Sequence, residues 1–294
     1  MKVAVIGLGS MGYGIAASVL RAGHEVWGVD VNAGAADRFR AEGGSSGAPD
    51  AAALDALVSV VLNAAQTESV LFGEGGMVPA MREGSLVVSC ATVPPAFARD
   101  MAARCGERGV HYLDAPMSGG AAKAMDGQLT YMASGTADAF AAARPILDAS
   151  AGQVFDLGRE AGLGSAMKAV NQMLAGVHIA AMAEAMTFGI GQGIAAETFM
   201  EVIPQCAGTS WMLENRGPHV RDGDYEPRSA VDIWPKDLGI VSDIARAARF
   251  PAPLTAAALQ QFLAASASGL GRQDDAAVAK IYARNGAVDL PSSS

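Results

Sequence analysis

Gly7-Leu8-Gly9-Ser10-Met11-Gly12 follows directly on the apolar run Val3-Ala4-Val5-Ile6 and opens a helix-compatible stretch. A GxGxxG spacing is common by chance, but a strand before it and a helix after it give it a mechanism. The first glycine permits a tight turn, the second lets a ligand approach the backbone, and the third brings the helix against the sheet. The helix N-terminus adds N–H donors and a positive dipole end. The stretch therefore predicts a Rossmann-type turn in which Gly7, Leu8, Gly9, Ser10, Met11 and Gly12 hold the pyrophosphate of a dinucleotide.

The next β-rich run, residues 25–30, ends in Asp30, about 20 residues beyond the motif, where an acid can accept hydrogen bonds from the adenosine ribose. Asp30 would repel a 2′-phosphate, and Val31-Asn32-Ala33 supplies no arginine to pair with one, so NAD is expected rather than NADP. Similar runs recur at residues 58–63, 86–89, 110–114, 129–133 and 154–157, separated by alanine-rich helical stretches. Strand alternating with helix predicts a mainly parallel sheet covered on both faces. Val31, Asn32, Asn63 and Ala64, at strand ends, are placed with the cofactor site.

The rhythm changes at residues 158–164. Residues 165 to about 192 contain Ala, Met, Val and Ile but no proline and read as one buried helix, and the remainder is helix-compatible with breaks at Pro204, Pro218, Pro227, Pro235 and Pro251. The fold class is α/β: a Rossmann domain, residues 1–163, joined by a long interdomain helix to an all-α domain, residues 164–294. Two domains suit a chain of 294 residues. The tail from Asp289 is expected to fray.

Composition narrows the function. Apolar residues make up 51% and charged ones 17%, below the globular average of about 25%, which points to a subunit interface and so to a homo-oligomer. A net charge of −9 without a basic run argues against nucleic acid. No uncharged apolar run is expected to reach the roughly 18 residues that span a bilayer. With no signal peptide legible, the cytoplasm is the expected compartment. Cys90, Cys105 and Cys206 have neither disulfide nor zinc spacing, and no metal is expected.

Oxidising a C–OH bond needs a group that takes the hydroxyl proton as hydride leaves. Lys168 lies about one turn into the long helix at the predicted domain junction, and Asn171 (i+3) and Gln172 (i+4) share its face. Desolvation and the helix N-terminus are both expected to bring its pKa down from about 10.4. The alternative base is a histidine; His178 shares the helix but lies about 80° around it and reads as a packing residue. Asp114-Ala115-Pro116-Met117-Ser118-Gly119-Gly120 leaves a strand at the edge where open α/β sheets bind ligands. Its amides, beside the N-terminus of the Lys168 helix, suit a substrate carboxylate. Asn171 and Gln172, with Ser210 or Asn215 from the second domain, are then available for further hydroxyls. The small-molecule partner expected is a hydroxy acid of three or four carbons that carries further hydroxyls.

At these residues the chain resembles the β-hydroxyacid dehydrogenase family, which includes 3-hydroxyisobutyrate dehydrogenase and tartronate semialdehyde reductase. Four motifs carry the resemblance in order: residues 7–12, residues 114–120, Gly162-Leu163-Gly164-Ser165-Ala166-Met167-Lys168-Ala169-Val170-Asn171, and Lys236-Asp237-Leu238-Gly239. The resemblance implies NAD-linked oxidation of a small hydroxy acid with Lys168 catalytic. It implies that Ser118, Gly119, Gly120 and Asn171 surround the substrate, that Thr92 lies beside the nicotinamide ribose, and that Lys236 closes over the cofactor. Gln172 in place of a second Asn, and Cys90-Ala91 before Thr92, depart from the family pattern and leave the substrate open. An NADPH-dependent semialdehyde or imine reductase is the alternative on the same fold, and Asp30 opposes it.

Overall fold

β1 (Lys2–Ile6), β2 (Glu25–Val29), β3 (Ala56–Ser59), β4 (Leu86–Ser89) and β5 (His111–Asp114) lie parallel in the order β2-β1-β3-β4-β5. Alternate residues of these strands enter opposite cores: Val3, Val5, Val58, Val88 and Leu113 on one face, Ala4, Leu57, Val87 and Tyr112 on the other. A period of two with both sets apolar requires helices on both faces. Helices α1 (Gly12–Arg21), α2 (Ala33–Ala41), α3 (Ala64–Phe72), α4 (Pro95–Gly106), α5 (Gly120–Met125) and α6 (Ala137–Ser150) intervene. α1 and α6 cover the first face through Ile15, Val19 and Ile146, while α3 and α4 cover the second through Leu71, Met101 and Cys105. The computed structural model describes residues 1–45 and 47–292; Ser293 and Ser294 of the tail expected to fray lie outside the described residues.

Several details depart from the sequence reading. The third strand runs from Ala56 to Ser59 rather than over residues 58–63, pairing Val3 with Ala56 and Ile6 with Ser59. Val60 still donates its N–H to the Ile6 carbonyl at 2.8 Å and then lies against the glycine turn, where a Cβ on Gly7 would run into the Val60 carbonyl. A short strand, β6 (Met117–Ser118), also follows β5, and both lie antiparallel along one edge of β7 (Leu129–Gly135), with β8 (Ala151–Asp156) parallel on its other edge.

The chain divides into two compact units, Met1–Lys168 and Ala169–Ser294. α7 (Leu163–Gly191) runs from one into the other, and α8 (Ala196–Val202), α9 (Trp211–Arg221), α10 (Ile233–Ala247), α11 (Pro253–Ala265) and α12 (Ala279–Gly286) follow. Ile179, Met182, Ala183 and Met186 of α7 pack with Leu213, Leu238 and Phe262 in the core of the second unit. The expected buried helix is therefore buried on one side, whereas Val170, Leu174 and Phe188 stand exposed along another. By length and composition alone α7 could cross a membrane, its best 18-residue window having a mean hydropathy of 1.5, but a core helix meets the same criterion and 44% of that window is buried in protein. Scattered polar residues interrupt the apolar run but do not lower its average enough.

Pro218 and Pro235 do not break helices as expected; they lie inside α9 and α10. Pro235 is the third residue of α10, where the backbone N–H has no intrahelical partner to lose. Trp234, beside it, stacks on Phe262 with ring centroids 5.4 Å apart and donates its indole N–H to Asp275 at 2.9 Å. These contacts fix the start of α10.

Candidate active site

The parallel register aligns Ile6, Ser59, Ser89 and Asp114 as neighbours at the C-terminal ends of their strands. Gly7, Asn63, Thr92 and Ser118 all follow these ends, so one sheet edge gathers the loops that sequence motifs alone leave scattered. Gly7 has φ +97°, and a Cβ on Gly12 would collide with the Gly7 carbonyl. These two glycines build the turn and the close helix approach. A Cβ on Gly9, by contrast, would meet no atom within 4 Å. The open side of the loop is the side a dinucleotide phosphate would approach.

Asp30 accepts from the Leu8 N–H at 2.6 Å and from the Asn32 N–H at 2.7 Å. Its carboxylate is thus both a turn cap and an oriented acceptor beside the glycine loop. Val31 is fully exposed and Leu62 largely so on the same edge. Asn32 and Asn63 have local roles as well, capping α2 and α3 through Gly34 N–H and Gln66 N–H; Ala64 is the first residue of α3. Thr92 is half-buried in the loop between β4 and α4. Burial pushes the neighbouring Cys90 thiol up to about 12, so it stays protonated and is no nucleophile. The glycine loop, Asp30 and the open surface above Gly9 fit an adenine dinucleotide.

Lys168 is only 9% exposed, and its Nζ donates to the Met117 carbonyl at 3.0 Å. That contact puts the amine one residue from Ser118, at the start of the turn where Gly119 and Gly120 have φ of 141° and 77°. A solvated surface lysine is thereby ruled out.

The N-terminus of α7 differs from expectation. Asp114, 1% exposed, accepts from Gly162 N–H and Ser165 N–H, both at 2.8 Å, and from the Ser165 hydroxyl at 2.7 Å. Burial raises its carboxyl above the ordinary range, offset in part by these donors. Because an internal carboxylate already occupies the helix terminus, that terminus neither awaits a substrate anion nor acts as a bare positive dipole on Lys168. Ser118, Gly119 and Gly120 follow directly on the Met117 carbonyl that Lys168 holds.

In the second unit, Asn171 Nδ2 donates to Gln172 Oε1 at 2.9 Å, and Gln172 Nε2 donates to Asp237 Oδ2 at 2.5 Å. Lys236 Nζ lies 2.7 Å from Asp237 Oδ1. Gln172 and Asp237 are buried, so both ends of the Gln172 amide are engaged within the protein. Ser210 caps α9 by accepting from Leu213 N–H, and Asn215 accepts from Arg216. Reading motifs alone missed Asp114 and Asp237 as partners. The signal for Asp237 is present: Trp234, Leu238, Val241 and Ala245 mark the buried stripe of α10, and an acid on that stripe needs an internal donor.

Comparison with known proteins agrees with this geometry. Residues 2–158 match the family described as the NAD binding domain of 6-phosphogluconate dehydrogenase, and residues 162–282 match the NAD-binding family of NADP-dependent 3-hydroxyisobutyrate dehydrogenase. The chain is 49% identical to an L-threonate dehydrogenase of Cupriavidus necator over 99% of this chain and 98% of that protein. It is 48% identical to the L-threonate dehydrogenase of Escherichia coli K12 over 95% of this chain and 94% of that protein. A solved structure of 3-hydroxyisobutyrate dehydrogenase from Salmonella typhimurium, 48% identical, superposes with a TM-score of 0.90 over 96% of this chain and 99% of that one. With both halves matched and near-complete relatives at this identity, the chain belongs to the 3-hydroxyisobutyrate dehydrogenase-like family and is an NAD-dependent hydroxyacid dehydrogenase.

Proposed function

We propose that the substrate is L-threonate, oxidised at C2 to 2-oxotetronate. The observation that carries this reading is the set of five L-threonate dehydrogenases 46–49% identical to this chain over at least 95% of it. When bound, NAD would supply the acceptor for the hydride that leaves the carbinol carbon. Lys168, in its amine form, takes the hydroxyl proton, and the carbon–oxygen bond becomes a carbonyl. Ser118, Gly119 and Gly120 receive the substrate carboxylate, and Asn171 holds a hydroxyl. The glycine loop from Gly7 to Gly12 and Asp30 would hold the dinucleotide, and Thr92 and Lys236 would add to that set.

The functional domains are residues 1–163 for NAD and 164–294 for substrate and oligomerisation. The exposed stripe of Val170, Leu174 and Phe188 on α7 supports a homodimer or homotetramer, because a row of large apolar side chains left in water is unfavourable. The unpaired cysteines suit the cytoplasm.

Steady-state NADH formation across a panel of hydroxy acids tests the substrate. L-Threonate should give the highest kcat/KM; a higher value for 3-hydroxyisobutyrate or D-glycerate would overturn it. The second reading, 3-hydroxyisobutyrate, is favoured by the name of the Salmonella structure. Polar groups left unpaired by an alkyl substrate argue against it.

A further inference from the structure

We infer that Asp237 is a positioning residue that fixes, through Gln172, which atom Asn171 presents for catalysis. The inference rests on the reading of Lys168 and Asn171 given above, and it deepens that reading. An aspartate carboxylate paired with an ammonium can only accept hydrogen bonds. The Gln172 atom facing Asp237 Oδ2 is therefore the amide nitrogen, whichever way the side chain would otherwise turn. That choice aims Gln172 Oε1 at Asn171, so the Asn171 atom facing it must be Nδ2. The Asn171 carbonyl oxygen is then turned away from Gln172. The chain of donors runs one way, Asn171 to Gln172 to Asp237, and Lys236 anchors its end.

The consequence is chemical. Asn171 lies one helical turn beyond Lys168, and an amide held with its oxygen outward offers an acceptor to a donor such as a substrate hydroxyl or a lysine ammonium. A flipped amide would offer N–H groups instead, which repel a lysine ammonium and leave a hydroxyl no oxygen to donate to. Gln172 thus has an indirect role in place of contact with substrate. Because Gln172 and Asp237 are buried, no water is needed to complete the chain.

The test compares Asp237→Asn, the exchange Asp237→Asn with Gln172→Glu, and Gln172→Leu in the full-length enzyme. In Asp237→Asn either amide can turn, because the new amide at position 237 both donates and accepts, so the Asn171 orientation is no longer fixed. In the exchange variant, the amide at position 237 donates to the new carboxylate at position 172. That carboxylate can only accept from Asn171, which restores the direction. We expect Asp237→Asn to lower kcat/KM for the hydroxy acid by about 10- to 100-fold, the exchange to recover at least about tenfold, and Gln172→Leu to lose as much as Asp237→Asn. NAD affinity in Gln172→Leu should stay unchanged, since the Lys236–Asp237 pair survives there. A merely structural role predicts no recovery of kcat/KM by the exchange. Full activity in Asp237→Asn or in Gln172→Leu, or a folded exchange variant that recovers nothing, overturns the inference. If the exchange variant does not fold, Gln172→Leu decides alone. Failure of the underlying reading has a different signature: wild type oxidises no hydroxy acid, or Lys168→Ala retains turnover.

Discussion

Asp114 on β5 and Ser165 in the first turn of α7 are joined twice, by the Ser165 N–H at 2.8 Å and by its hydroxyl at 2.7 Å. The same strand-and-loop segment carries Met117, whose carbonyl holds Lys168 Nζ. Ser165 and Lys168 are three residues apart on the helix, so the carboxylate that caps the helix also sets where the amine falls.

Asp114→Asn should therefore lower both stability and turnover. An asparagine replaces one acceptor with an N–H that faces the N–H groups of α7, at a cost of about 1–3 kcal/mol. The pH dependence has a definite sign. Burial raises the Asp114 carboxyl, so between its unfolded and folded values the native state binds more protons than the unfolded one, and stability falls as pH rises through that window. Asp114→Asn lacks this titration. The stability advantage of wild type over the variant should be largest on the acid side and narrow as pH rises from about 4, the free aspartate value. Thermal unfolding of both proteins over that range checks it; an advantage that widens with pH would contradict the assignment.

Lys168→Ala should lower kcat by roughly 10²–10⁴ with little change in dinucleotide affinity. Lys168→Arg should be almost as poor, because a guanidinium keeps its charge but does not release a proton near neutrality. Steady-state kinetics and NAD titration separate the two effects. Near-normal turnover in Lys168→Ala would place the proton transfer elsewhere, and His178→Ala would be the next variant to assay.

Asp30 should make NAD preferred over NADP by at least an order of magnitude in kcat/KM, about 1.4 kcal/mol. Its two backbone bonds, to Leu8 and Asn32, hold the carboxylate in place beside the glycine loop. Asp30→Ser should shrink the preference by relieving repulsion of a 2′-phosphate. Equal efficiency with both cofactors in the wild type would sink this assignment.

Leu174→Asp, in the exposed stripe of α7, should weaken self-association without unfolding the second unit, since Leu174 is half-exposed and contributes little to its core. Light scattering should show a dimer or larger for the wild type, with an interface of the obligate class, above about 2,000 Å². A wild-type monomer at micromolar concentration would be incompatible with the stripe being an interface.

The sequence by itself determined the parts whose cause is local. Gly7 to Gly12 after a strand needs the turn that only glycines fit, period-two apolar strands need helices on both faces, and the unbroken run after residue 164 becomes α7 to within two residues. The four motifs also named Lys168, Ser118 and Asn171, because motif spacing survives in one dimension. Tertiary structure alone decided what depends on neighbours distant in the chain. The α7 terminus was neutralised by Asp114, 51 residues before Ser165, and the Gln172 amide was turned by Asp237, 65 residues on. A buried carboxylate must find donors wherever the fold brings them. Its partner is therefore set by packing, not by spacing along the chain.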